Sequence, residues 1–216
     1  MTRKFHSLAL TAITATLLAT SLSGCFPLLV GGAAVGALVA VDRRTSGAQL
    51  EDEGIELRSA SRLRDAMGER LHFNVTSYNR QVLLTGEART AQDKEAAEQI
   101  VSKVDNVRSV VNEIAVMGHS SLQQRSNDVL ITGKVKASFI DAKDLQVNAF
   151  KVVTERGIVY LMGRVSQAEA DRATQITRTI NGVQRVVRIF DIMSQEELQR
   201  LSREAPQPSR PAGTAP

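Results

Sequence analysis

Phe73-Asn74-Val75-Thr76-Ser77-Tyr78-Asn79-Arg80-Gln81-Val82-Leu83-Leu84-Thr85-Gly86 is written again at Phe150-Lys151-Val152-Val153-Thr154-Glu155-Arg156-Gly157-Ile158-Val159-Tyr160-Leu161-Met162-Gly163. The Phe, Val and Gly positions keep one spacing through the block. One residue is then lost, and Thr90-Ala91-Gln92-Asp93 matches Ser166-Gln167-Ala168-Glu169, each a hydroxyl residue with an acid three places on, which marks a helix start. Ala97, Ile100, Val104, Val107 and Val110 then match Ala173, Ile176, Ile180, Val183 and Val186. Register shared over so many positions means two copies of one domain.

Each copy predicts the same elements. A first amphipathic helix places Leu57, Ala60, Leu63 and Met67 on one stripe, with Val135 and Phe139 standing for Leu63 and Met67 in the second copy. A strand follows, then a tight turn in which Asn79 or Gly157 takes positive φ, then an apolar strand ending in Gly. The second helix ends at Asp105-Asn106 or Asn181-Gly182, and a Val-rich strand closes the unit. Strand, helix, strand implies a right-handed parallel crossover. The expected fold class is α+β: two tandem αββαβ units, each a small mixed three-stranded sheet with two helices on one face.

Outside the repeat, residues 1–24 form a signal segment. Arg3 and Lys4 are its positive start, Leu8 to Leu22 its apolar stretch, and Ser23-Gly24 precede Cys25, the chain's one cysteine. The apolar stretch is short for a membrane span. A plain signal peptide beside an incidental thiol is the other reading, though an unpartnered thiol suits an oxidising compartment badly. Residues 25–51 read as a Gly/Ala-rich tether (Gly31, Gly32, Gly36), with folded sequence from about Asp52. Domain 1 is expected over 52–117, a polar linker over 118–125, domain 2 over 126–193 and a short helix over 194–203 from the Ser194/Glu197 capping spacing. Residues 204–216 hold four of the five prolines and are expected to be disordered.

Composition narrows function. A net charge of +4 includes Arg3 and Lys4, so the mature chain is only mildly basic, which argues against a nucleic-acid partner and suits anionic head groups. No enzyme chemistry is legible. His72 and His119 are isolated, without a Cys or His at metal-ligand spacing, so no metal and no cofactor is expected. Ser120 and Ser121 lack a nucleophile elbow, and the Glu51-Asp52-Glu53 run reads as a helix-start preference.

One surface stands apart. Projected at roughly 100° per residue, the helix expected over Asn127 to Ile140 puts Ile131, Thr132, Val135 and Phe139 on the core side. Leu130, Gly133, Lys134, Ala137 and Ile140 fall opposite, with Lys136 close by. The matching helix of the first copy has an ordinary charged exterior in Arg58, Arg62, Arg64, Asp65 and Glu69. An apolar stripe edged by cations suits a lipid interface. It also suits packing against the first domain or the C-terminal helix, and both readings stand at this point.

The αββαβ order, Gly86 and Gly163 after the second strand, the Asn181-Gly182-Val183 turn and the Leu57-Arg58-Ser59 start resemble the BON domain. Leu22-Ser23-Gly24-Cys25 resembles a bacterial lipobox, whose cysteine is acylated. Together they resemble the dual-BON outer-membrane lipoproteins linked to cell division and envelope stress. That resemblance implies a triacylated Cys25 and, because Phe26 stands where an aspartate signals inner-membrane retention, the periplasmic face of the outer membrane. It implies an anionic phospholipid partner of the phosphatidylglycerol class, bound through Leu130, Gly133, Lys134, Ala137 and Ile140, although the family often has an aromatic at the place of Leu130. It also implies support of the barrel-assembly machinery and no catalysis. The alternative function is a protein-interaction module that binds another envelope protein or a peptidoglycan-associated partner.

Overall fold

The structure, a computed structural model, describes residues 42–118 and 120–204. Cys25, the signal segment, most of the tether, His119 and the proline-rich tail lie outside the described residues.

The order is α1 (Ser46–Met67), a 3-10 turn (Gly68–Arg70), β1 (Leu71–Tyr78), β2 (Gln81–Ala88), α2 (Ala91–Ser102), β3 (Ser109–Asn112) and β4 (Ala115–Val116). The second copy runs α3 (Leu122–Asp141), a 3-10 turn (Val147–Ala149), β5 (Phe150–Glu155), β6 (Ile158–Val165), α4 (Gln167–Arg178) and β7 (Arg185–Ile192), and α5 (Gln195–Glu204) ends the described chain. In each copy the first two strands pair antiparallel and the last pairs parallel to the middle one. The expected α+β fold of two αββαβ units with mixed sheets is what the chain forms. In the first copy the closing strand is interrupted at Glu113-Ile114, so β3 and β4 both pair with β2.

Both repeated glycines have a steric reason. A Cβ on Gly86, which sits at φ +123°, would collide with the His72 carbonyl oxygen, and one on Gly163 with the Ala149 carbonyl oxygen. The hairpin turns take positive φ at both central residues, Asn79 and Arg80 in the first copy, Arg156 and Gly157 in the second. Thr90 and Ser166 cap α2 and α4 as their spacing predicts.

Several expectations change. α1 begins at Ser46, because the Thr45 hydroxyl caps it by accepting from the Ala48 amide, so ordered chain precedes Asp52. α3 begins at Leu122, inside the expected linker, behind a capping box of Ser121 and Gln124. Leu57 is 71% exposed, and the core stripe of α1 is Asp52, Ile55, Ser59, Leu63 and Met67. Ile55, Ser59 and Leu63 therefore correspond to Ile131, Val135 and Phe139, not the pairing read from the repeat. The cause is a buried aspartate in each first helix. Asp52 is no helix-start preference: its carboxylate accepts from the Asn79 and Arg80 amides at 2.7 Å each and from the Ser77 hydroxyl. Asp128 accepts from the Arg156 and Gly157 amides at 2.7 and 2.8 Å.

Pleating explains the unbroken apolar runs of the middle strands. Val82 and Leu84 face the α1/α2 core, while Leu83 faces away; Val159 and Leu161 face the α3/α4 core, while Tyr160 and Met162 face away. Those outward residues meet. Tyr78, Leu83, Tyr160, Met162 and Ile189 form one buried cluster, so the two sheets pack on each other and the helices lie outside. Central strands buried on both faces lose their polar alternation.

Candidate functional site

With sheets inside, one side of α3 rests on the second core and the other is left to solvent. Ile131, Val135 and Phe139 are fully buried, and the Thr132 hydroxyl meets that of Thr154 at 2.7 Å. Leu130, Gly133, Lys134, Ala137 and Ile140 are all exposed, Leu130 at 63% and Ile140 at 64%. A Cβ on Gly133 would meet nothing within 4 Å. Among the described residues, neither the first domain nor α5 covers this face.

The face is longer than the sequence reading made it. Leu122, 81% exposed, and Val129, 71% exposed, join the stripe, since Leu122 lies five helical turns from Ile140 on the same side. The capping box of Ser121 and Gln124 was the signal that could have found Leu122. At 1.5 Å rise per residue the stripe is about 27 Å long. Its borders are cationic, with Lys134 on one edge and Arg125 and Lys136 on the other. The single carboxylate between Leu122 and Ile140 is Asp128, which is buried against the β5–β6 turn. Negative charge returns only at Asp141. No described helix is long and apolar enough to cross a membrane.

The first domain's α1 also exposes aliphatics, Leu50 and Leu57 at 71% each, so its exterior is less purely charged than expected. There the neighbours on the helix include Glu53, Asp65 and Arg64. Mixed charge separates this face from that of α3.

Beside α3 lies a cleft of about 310 Å³ between the domains, lined by His72, Asn74, Arg125, Thr154 and Glu155 among others. His72 is not isolated: its Nδ1 is 2.9 Å from a carboxylate oxygen of Glu87, which is 1% exposed. Glu155 accepts from the Asn74 amide at 3.3 Å. Burial pushes the Glu155 carboxyl up, and Glu87 and Asp128 nearby add to the rise. Of the serines noted beside His119, Ser121 is a helix cap and the Ser120 amide donates to Glu87. Among the described residues no group of three or more His, Cys, Asp or Glu is placed to hold a metal ion.

Comparison with known proteins places this geometry. The family model of the BON domain matches residues 52–118 and again 127–192. The chain is 36% identical over 172 residues to the outer membrane lipoprotein DolP of Haemophilus influenzae, covering 78% of this chain and 89% of that protein. It is 35% identical over 153 residues to a 21 kDa hemolysin of Actinobacillus pleuropneumoniae, covering 70% and 79%. It is 29% identical over 117 residues to the osmotically inducible protein Y of Escherichia coli, covering 53% and 58%.

Proposed function

We propose a function from one premise: this chain belongs to the BON-domain family, in the two-domain form shared with DolP. It is a non-enzymatic outer-membrane lipoprotein, held by an acylated Cys25 at the periplasmic face, and it docks the α3 face of its second domain on anionic phospholipid of the phosphatidylglycerol class.

One observation carries the reading. The side of α3 turned away from the core, where water should select charge, instead presents Leu122, Val129, Leu130, Gly133, Ala137 and Ile140, with cations at its edges and no exposed carboxylate before Asp141. An aliphatic side chain gains about 1.5–3 kcal/mol on full transfer out of water, and each cation near an anionic leaflet about 1 kcal/mol. Four large aliphatics and three cations make a weak but sufficient interface for a molecule already tethered, because acyl chains at Cys25 supply the standing attachment. The lack of an aromatic at Leu130 removes an interfacial preference and weakens the contact. By the family likeness the protein gathers at division sites rich in anionic lipid, maintains envelope integrity and supports barrel assembly.

The test uses the mature chain with Cys25→Ser, so that the anchor does not mask the contact. It should bind phosphatidylglycerol vesicles, ignore phosphatidylcholine vesicles, and show NMR shifts confined to residues 122–141. Leu130→Glu should abolish binding while the circular dichroism stays unchanged. A variant that binds as well as the parent defeats the assignment. Shifts that appear with an envelope protein and not with lipid would favour the interaction-module reading instead.

A further inference from the structure

Arg43 and Arg44, inside the expected tether of residues 25–51, are built into the fold, and each grips a different domain. Arg44 belongs to the first: its guanidinium pairs with Asp52 at 2.7 Å, is held by Asp42 at 2.7 Å, and stacks over the Tyr78 ring at 4.2 Å. Arg43 crosses to the second. Its guanidinium takes both oxygens of Glu169, at 2.6 and 2.8 Å, and donates to the Arg164 carbonyl at 2.9 Å and to the Gln146 side-chain oxygen at 3.2 Å. The Arg164 side chain returns a bond to the Arg43 carbonyl at 3.3 Å. The Arg43 side chain is only 9% exposed and that of Glu169 16%. A forked, two-oxygen arginine contact of this kind is directional as well as strong.

Its position in the fold gives it a use. Gln146 lies five residues beyond the end of α3, and Arg172, one turn along α4 from Glu169, pairs with Asp144 at 3.0 Å in the same connection. Arg43 is thus fastened to the start of α4 and to the connection that follows α3. Without this grip, the chain arriving from Cys25 would lead only into α1 of the first domain. With it, the chain is attached to the second domain, which carries the proposed lipid face, before it enters α1.

We propose that Arg43 is a positioning residue for membrane docking, which, through Glu169, fastens the anchored chain to the second domain and so holds the α3 stripe toward the bilayer that carries Cys25. The inference rests on the lipid reading of α3. Its physical basis is effective concentration: a second contact made on a tether is favoured in proportion to how often the tether presents it, and a rigid attachment narrows the orientations sampled. Arg43 touches no lipid in this scheme. It decides how often Leu122 to Ile140 meet one.

The experiment compares acylated protein in phosphatidylglycerol vesicles with the same chain carrying Cys25→Ser. An environment-sensitive fluorophore on Gln123→Cys reports insertion of α3, acylation having blocked Cys25. Glu169→Gln is the informative variant, because glutamine preserves the capping box with Ser166 while removing the charge that Arg43 holds. Glu169→Gln and Arg43→Ala should each lose about half or more of the insertion signal in the acylated protein, Arg43→Lys should lose less, and binding without the anchor should stay within about twofold of the parent. The proposal is overturned if the acylated variants insert like the parent, or if they weaken unanchored binding to the same degree, since the contact would then merely hold the fold together. If the acylated parent itself shows no insertion, the lipid reading fails and the grip is judged by amide exchange alone. Faster exchange at Arg44 to Ser46 in Glu169→Gln then supports the fastening, and unaltered exchange rejects it.

Discussion

Asp52 and Asp128 do the same work in the two domains: each reaches from the first helix to the tip of the hairpin and accepts both amides of the turn, with all four bonds at 2.7–2.8 Å. The turns need positive φ at two consecutive residues, three of the four not glycine, and their amides point toward the first helix, that of Gly157 into a fully buried bond. The carboxylate satisfies them and sets the rotation of the helix at once. Replacing Asp128 by Ala strands two donors and should cost about 2–4 kcal/mol in unfolding free energy, measured by urea titration.

At Asp52 the same contact carries a pH signature. Burial pushes its carboxyl up, but the Arg80 and Asn79 amides, the Ser77 hydroxyl and Arg44 more than offset this and hold it below its ordinary value of 3.8. A depressed folded-state pKa contributes stability that is present above the unfolded value and is lost as pH falls through the folded one. The gap in stability between the parent and Asp52→Asn should therefore be full at pH 6, begin to close near pH 4, and shrink further below it. A gap that stays constant from pH 6 to pH 2.5 would remove the charge from this account.

Three glycines separate steric need from surface design. Gly86→Ala and Gly163→Ala drive a methyl into a neighbouring carbonyl, with added strain at Gly86 from its φ, and should each cost about 2–4 kcal/mol. Gly133→Ala meets open space inside a helix and should raise stability by up to about 1 kcal/mol. Thermal midpoints of the three variants test the contrast. Should Gly133→Ala prove destabilising, α3 has a neighbour that the described residues do not include.

The duplicated strands, the caps at Thr90 and Ser166 and the glycines were legible because each is a local device with its own residue type at fixed spacing. The helix-to-strand register was not. Leu57 looked like core and Asp52 like a helix start, because the hairpin amides that need Asp52 lie 25 or more residues away. For the α3 face, Leu130, Gly133, Lys134, Ala137 and Ile140 could be placed opposite the core from periodicity alone. Leu122 escaped because the helix start was set too late. Val129, inside the expected helix, was passed over because at roughly 100° per residue it falls at the margin of the stripe, on the side away from Leu130. The mutual packing of the two sheets left one trace, the two-sided apolar runs Val82–Leu84 and Val159–Met162, which periodicity alone does not distinguish from ordinary central strands. Arg43 gave no signal at all, since its partners Gln146, Arg164 and Glu169 are distant in the chain.

The domain junction should respond to pH in the opposite sense to Asp52. Glu155 is 9% exposed, with Asn74, Glu87 and His72 facing it from the first domain and Asp128 from α3. Its carboxyl is raised by burial first and then by Glu87 and Asp128. A raised folded-state pKa gives stability that is complete below the unfolded value of 4.5 and is lost as pH rises through the folded one. Glu155→Gln mimics the protonated form at every pH. It should melt above the parent at pH 8 and match it near pH 4, by calorimetry at both values. A variant less stable than the parent at pH 8 would mean that the ionised carboxylate is needed at the junction.

The sheet-to-sheet cluster should make the two BON domains one thermodynamic unit. Leu83 and Tyr160 are each 1% exposed, and they are buried by each other's domain rather than by their own helices. Tyr160 also lies 3.4 Å from Glu113 of the first domain, which in turn pairs with Arg185 of the second at 2.9 Å. Surface pairs of that kind contribute little, about 0–1 kcal/mol, so the coupling rests on the apolar contact. Leu83→Ala should cost about 2–5 kcal/mol, more than a surface-strand leucine could. Leu83→Glu should go further and uncouple the domains, because a carboxylate there has no partner in the cluster and can reach water only if the sheets part. The parent should unfold in a single calorimetric transition, and Leu83→Glu in two, with helical content retained at 25 °C. If Leu83→Glu still melts in one transition, the two sheets are not held together through this residue.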